Sequence, residues 1–128
     1  MFGMFTISVQ NSFAARHRLS RPDGTKEPSH GHYWTVTAAA SAEKLNAAGL
    51  VMDFQLLRDL VEKVVGPLRD AELDRLEYFR SNNCSAENVA KYIYEAVVPL
   101  LPAPVRLDYV QVTEAAGCTA AYRSSPAD

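Results

Sequence analysis

Two hydrophobic periods divide this chain. Near the amino terminus Phe5, Ile7 and Val9 alternate with Thr6, Ser8 and Gln10, the period of two expected of a strand with one buried face. A second alternating run places Trp34, Val36, Ala38 and Ala40 on one side and Tyr33, Thr35 and Thr37 on the other. Between them, Arg16–Gly31 is polar and broken by Pro22, Gly24 and Pro28. A structureless connection of that length is uncommon in a compact domain unless it has a task. The loop is therefore the first place to look for a site.

After Gly49 the spacing lengthens. Phe54, Leu57, Val61, Val64, Val65 and Leu68 recur at three and four and predict one face of a helix, with Asp53 as its N-cap and Gly66-Pro67 at its end. Residues 69–84 are charged and irregular. A second helix is expected from Ser85 as N-cap, with Val89, Tyr92, Ile93, Ala96, Val97 and Leu100 inward and Pro102 and Pro104 beyond it. Glu87 in its first turn complements the helix dipole. Two further strands are expected near Arg106–Glu114 and Cys118–Arg123, joined at Ala116-Gly117. The order β-β-α-α-β-β predicts one α+β domain over 1–128, a four-stranded antiparallel sheet covered on one face by two helices. Such a sheet has two open edges, which pairing between subunits would remove.

Composition narrows the partners. With 128 residues and a formal net charge of -2, nothing pulls the chain toward nucleic acid or an anionic membrane. No apolar run approaches the ~20 residues of a spanning helix, and Met1–Gln10 lacks a basic segment followed by an apolar one. A cytoplasmic protein is expected. Cys84 and Cys118 form no CxxC pair, so no disulfide framework or cysteine zinc knuckle is indicated.

The chemistry-bearing residues cluster. All three histidines, His17, His30 and His32, bracket the polar loop. A spacing of two puts His30 and His32 on the same face of a strand, and His17 lies just past the first strand, antiparallel beside them. Three imidazoles converging with a fourth position open is the ligand count of a catalytic zinc.

These residues carry a resemblance. The run Ser12-Phe13-Ala14-Ala15-Arg16-His17-Arg18-Leu19 resembles the SFxAxHxL signature of the 6-pyruvoyl- and 6-carboxy-tetrahydropterin synthases, and His30-Gly31-His32 resembles their HGH motif. Val51-Met52-Asp53-Phe54, Leu73-Asp74, Ser85-Ala86-Glu87-Asn88 and Val112-Thr113-Glu114 resemble further family motifs, in the family's order. The resemblance implies the tunnelling fold, in which subunits join sheet edges into a barrel and two trimeric rings stack as a homohexamer. It also implies zinc on His17, His30 and His32, and a pterin held by Glu114, with Ser85 and Glu87 as weaker substrate-side residues. A carboxylate at Glu114 can accept two parallel hydrogen bonds from the amino-pyrimidine edge of a pterin.

The chain departs from the family where the proton chemistry lies. Related enzymes place a cysteine base four or six residues before HGH, where Lys26 and Gly24 stand here. Their Leu-Asp-His reads Leu73-Asp74-Arg75, leaving Asp74 without its imidazole partner. Arginine is no general base near neutral pH, and Glu27 is the best remaining candidate. Two readings follow. The first is a zinc-dependent lyase acting on 7,8-dihydroneopterin triphosphate or a close relative, with Glu27 and Asp74 catalytic. The second is a binding module that holds a pterin-like or purine-like heterocycle without turning it over.

Overall fold

The computed structural model describes residues 3–124. Four strands, β1 (Phe5–His17), β2 (His30–Ala42), β3 (Arg106–Ala115) and β4 (Cys118–Tyr122), form one antiparallel sheet in the order β1-β2-β3-β4. Helix α1 (Phe54–Val65) lies against β1, and α2 (Ala86–Val97) lies against β3 and β4. The order β-β-α-α-β-β and the helix-covered sheet are those the periodicity predicts.

The core lies between sheet and helices. From the sheet come Val9, Phe13, Trp34, Val36, Ala38, Val110 and Val112; Leu57, Val61, Val65, Val89, Ile93 and Val97 meet them from the helices. Each large side chain removed from water contributes roughly 1.5–3 kcal/mol before chain entropy is set against it. Both helices start as their sequences require. The Asp53 carboxylate accepts from the amides of Gln55 and Leu56, and the Ser85 side chain accepts from the Asn88 amide.

Four details differ from the sequence expectation. Strand β1 is longer: its alternation continues through Asn11, Phe13 and Ala15 to His17, which is the last strand residue rather than a loop residue. Contrast between the faces is weak at Asn11 and at Ala14-Ala15, so the periodic signal fades while the pairing with β2 continues. The loop is not structureless either. Its arms fold on each other through a Ser20–Lys26 bridge, with Arg21 N donating to Thr25 O at 2.6 Å and Glu27 N to Leu19 O at 2.9 Å. The turn is set by Gly24 at φ 87° and by Asp23, whose carboxylate accepts from the Thr25 amide and hydroxyl. Phe54 is exposed, at the first position of α1. Leu100 is also exposed: α2 tightens into a 3-10 turn at Val98–Leu100, which rotates it off the inward face, and Tyr94 is buried there instead.

One contact positions the site. Asp70 N donates to Ala14 O at 2.6 Å and Arg16 N to Ala71 O at 2.9 Å, so the segment after α1 lies along the outer edge of β1 beside His17. It then leads into the short turn Leu73–Arg75 that carries Asp74.

Candidate metal centre

The sheet register assembles the centre. His17 pairs with His30 across β1 and β2, Ala15 with His32, and Phe13 with Trp34. In each strand these positions continue the inward-facing set, so all three imidazoles project on the helix side at one end of the sheet. Ring centroids lie 4.6 Å apart for His17 and His30, 5.1 Å for His17 and His32, and 4.7 Å for His30 and His32. Trp34 meets His17 and His32 edge-on and forms the floor, with its indole N–H donating to Ala15 O at 3.4 Å.

A fourth residue arrives from β3. Val110, Val112 and Glu114 follow the inward period, and Glu114 is the extra residue of a bulge: Thr113 pairs with Thr119 but Ala115 with Cys118. Thr113 pairs with Thr35 of β2, so the inward period carries the carboxylate to the histidine end of the sheet. Glu114 Oε1 is 2.9 Å from His32 Nε2 and 3.3 Å from His17 Nε2. One donor atom from each of His17, His30, His32 and Glu114 lies within 4.8 Å of all the others.

The hydrogen bonds fix which nitrogens are free. His17 is fully buried, and its Nδ1 is 2.8 Å from the Cys84 carbonyl oxygen. A carbonyl only accepts, so Nδ1 carries the proton and Nε2 presents its lone pair to the cluster. His30 does the same at the rim, with Nδ1 donating to Pro28 O at 3.1 Å. Burial, the largest influence, holds His32 below the usual imidazole range; nearby His17 and His30 act in the same direction and Glu114 opposes them. The Nε2 atoms of His17 and His32 are buried without a hydrogen-bond partner, because their short contacts to Glu114 are misaligned as hydrogen bonds. Orphaned buried acceptors are costly. A tetrahedral ion with bonds of about 2.0–2.1 Å has donor–donor edges of about 3.3–3.4 Å, close to the 3.3 Å already present between His17 and Glu114. This donor set fits a metal ion such as zinc, and the four residues can hold one.

Glu27 stands at the edge of the centre, its Oε1 3.6 Å from His30 Nδ1. The folded loop fixes it: Oε1 accepts from the Leu19 amide at 3.0 Å, and its backbone carbonyl accepts from Arg18 Nε at 3.0 Å. Asp74 lies nearby in a cavity of about 400 Å³, also lined by Arg18, Lys26, Arg80 and Cys84, and its Oδ1 is buried without a partner. Arg75 does not face the centre; it is 80% exposed and pairs with Glu72 at 2.6 Å. Burial pushes the Cys84 thiol up to about 12, with Asp74 and Glu114 adding to the shift, so it is no thiolate. Ser85 caps α2, and Glu87 is exposed on that helix's first turn; neither belongs to the group of four. Sequence reasoning found the histidines and Glu114 but set the glutamate apart from them. The signal that joins them is the period of two at Val110, Val112 and Glu114.

The helix-backed antiparallel sheet is the fold of the tetrahydropterin synthases, and the three-histidine, one-glutamate group stands at its end. Residues 6–125 match the 6-pyruvoyl tetrahydropterin synthase family, and the chain belongs to it. Among its relatives, the 6-carboxy-5,6,7,8-tetrahydropterin synthase of Rickettsia conorii is 28% identical over 115 residues, covering 77% of this chain and 83% of that one. The dihydroneopterin monophosphate aldolase of Pyrococcus furiosus is 30% identical over 108 residues, covering 84% of this chain and 88% of that one. The 6-pyruvoyl tetrahydropterin synthase of Caenorhabditis elegans superposes with a TM-score of 0.85 at 23% identity, covering 97% of this chain and 98% of that one. No helix among the described residues is long and apolar enough to cross a membrane.

Proposed function

We propose that this protein binds a pterin such as 7,8-dihydroneopterin triphosphate and acts on its side chain as a zinc-dependent lyase. The observation that carries the reading is the fully buried His17, whose Nδ1 is spent on the Cys84 carbonyl while Nε2 faces His32 and Glu114 with no partner of its own. A buried lone pair aimed at two other donors is what a metal ligand requires. His17, His30 and His32 hold zinc, which when bound polarises the side-chain oxygens of the substrate.

The protein's own groups do the rest. Glu27 is the base: one oxygen is anchored by the Leu19 amide, and the other takes no hydrogen bond among the described residues and is free to receive a proton. Asp74 offers its orphaned Oδ1 to a substrate hydroxyl. Glu114 grips the amino-pyrimidine edge of the pterin. Its Oε1 lies 2.9 Å from His32 Nε2 and 3.3 Å from His17 Nε2, so a pterin held there lies beside the metal-binding histidines. Ser85 and Glu87 support the substrate side, on the strength of the family resemblance. The family's cysteine base and the histidine after Asp74 are absent at Lys26 and Arg75, so Glu27 carries the proton transfer alone. The long outer edge of β1 before Ala14 and the edge of β4 support assembly into a homohexamer, a dimer of trimers.

A second reading is a pterin- or purine-like-ligand binding protein without turnover. It is favoured by Lys26 at the family's cysteine position and by a Cys84 thiol raised to about 12, which leaves no thiolate to replace that base. Incubating the zinc-loaded protein with 7,8-dihydroneopterin triphosphate and identifying products by mass spectrometry separates the two. Conversion by the parent but not by Glu27→Gln is expected. No conversion with zinc verified as bound would leave the binding module.

A further inference from the structure

One position breaks the hydrophobic pattern of β1. The inward set runs Val9, Asn11, Phe13, Ala15 and His17, all buried. An apolar side chain would suit position 11, but the chain places an amide there, 7% exposed. Its nitrogen donates to Arg58 O at 3.2 Å and to Glu62 Oε1 at 3.1 Å, both on α1. Both neighbours only accept, so the NH2 group faces them and Oδ1 is left buried without a partner. An orphaned carbonyl oxygen in the core costs stability. Proteins break the rule of an apolar core chiefly at functional sites.

The amide begins a connection that ends beside the metal centre. Glu62 takes both terminal nitrogens of Arg69, and Arg69 Nη2 donates in addition to Ser12 O at 2.9 Å. The Arg69 guanidinium holds the Glu62 carboxyl below the usual range; burial opposes it, and the Asn11 amide adds to the lowering. From Arg69 the chain runs along the edge of β1. Asp70 N donates to Ala14 O, Arg16 N donates to Ala71 O, and Glu72 forms a parallel bridge with Arg16. Asp70 turns into that path at φ 60°, in the left-handed region. This ribbon leads directly into the turn Leu73–Arg75, where Asp74 has its orphaned Oδ1. Asp74 lines the same cavity as Cys84, whose carbonyl fixes His17.

We propose that Asn11, Glu62 and Arg69 are positioning residues of the candidate site: they lock the ribbon 69–72 to the edge of β1 and so hold Asp74 in place beside the metal centre. This rests on the lyase reading above and adds to it the device that places one of its catalytic groups. None of the three belongs to the group formed by His17, His30, His32 and Glu114, so they act through Asp74. The lock requires arginine, because one planar fork reaches a carboxylate on α1 and a carbonyl on β1 at once, a geometry that a lysine ammonium does not reproduce.

The test sets stability against activity in Asn11→Leu and Arg69→Lys, each loaded with zinc. Asn11→Leu removes the orphaned oxygen, so Tm is expected to hold or rise. Arg69 is exposed, so Arg69→Lys should move Tm little. In both variants kcat on 7,8-dihydroneopterin triphosphate should fall roughly ten- to a hundredfold with KM little changed, the signature of a displaced group rather than of weaker binding. Amide exchange followed by NMR reads the lock itself. The Asp70 and Arg16 amides, which bond across the ribbon, should exchange faster and the Asp74 amide signal should shift, while Val36 in the core stays as protected as in the parent. A kcat unchanged in both variants would overturn the proposal, as would losses of activity that merely track losses of Tm. If the parent itself gives no product, the lyase reading fails and NMR decides the lock alone. Faster Asp70 and Arg16 exchange with a shifted Asp74 signal then upholds it, and unchanged spectra overturn it.

Discussion

Replacing His32 by alanine separates the metal's contribution to stability from that of packing. His17 is unsuitable for this purpose, since it is fully buried and its loss would also orphan the Cys84 carbonyl. The His32 side chain is 22% exposed and sits at the rim of the sheet, so without metal its removal costs on the order of 1 kcal/mol or less. With metal the difference is larger. Free zinc at about 100 times its dissociation constant stabilises a native site by about 2.7 kcal/mol. A chain of 128 residues unfolds with an entropy near ~0.27 kcal/mol/K, taking ~2.1 cal/mol/K per residue. Zinc should therefore raise the parent Tm by roughly 10 °C. Losing one of the ion's own donors weakens binding by more than the ~10–100-fold lost with a group that only supports a ligand; beyond about 100-fold, the same free zinc raises Tm by less than about 2 °C. Scanning calorimetry of parent and His32→Ala, each with chelator and with buffered zinc, reads all four quantities. An undiminished zinc shift in the variant would show that the ion binds elsewhere. A parent that zinc leaves unmoved would refute the metal centre itself.

Two other outcomes follow from the same structure. Cys118 is exposed and Cys84 buried with its thiol held near 12, so iodoacetamide at pH 8 should modify the native protein once, at Cys118; modification at both sites would contradict the packing beneath α2. Because folding raises the Cys84 pKa from its ordinary value of 9.0, its contribution to stability is complete below pH 9 and is lost as pH rises toward 12; denaturant titrations from pH 8 to 10.5 should show a decline that Cys84→Ala flattens. Asp53→Ala removes the acceptor for two first-turn amides of α1 and should cost about 1 kcal/mol in denaturant unfolding, whereas a cost near zero would mean that water replaces the cap fully.

The sequence by itself determined the order of the elements, both helix caps and which histidines make up the candidate metal group. These are local properties: a period of two or three to four, and a carboxylate or hydroxyl ahead of free amides, need no distant partner to be legible. The tertiary structure decided how those residues meet. His17 becomes a strand residue only because β2 pairs with the full length of β1, and pairing between positions thirteen residues apart leaves no mark on local periodicity. Glu114 joins the histidines because β3 pairs with β2 in the register that sets Thr113 opposite Thr35. Glu62 of α1 meets Asn11 of β1, 51 residues away along the chain, only because that helix packs on that strand. Residue types can be read along a chain, but a donor's free lone pair or a cation's missing partner is a property of three-dimensional surroundings.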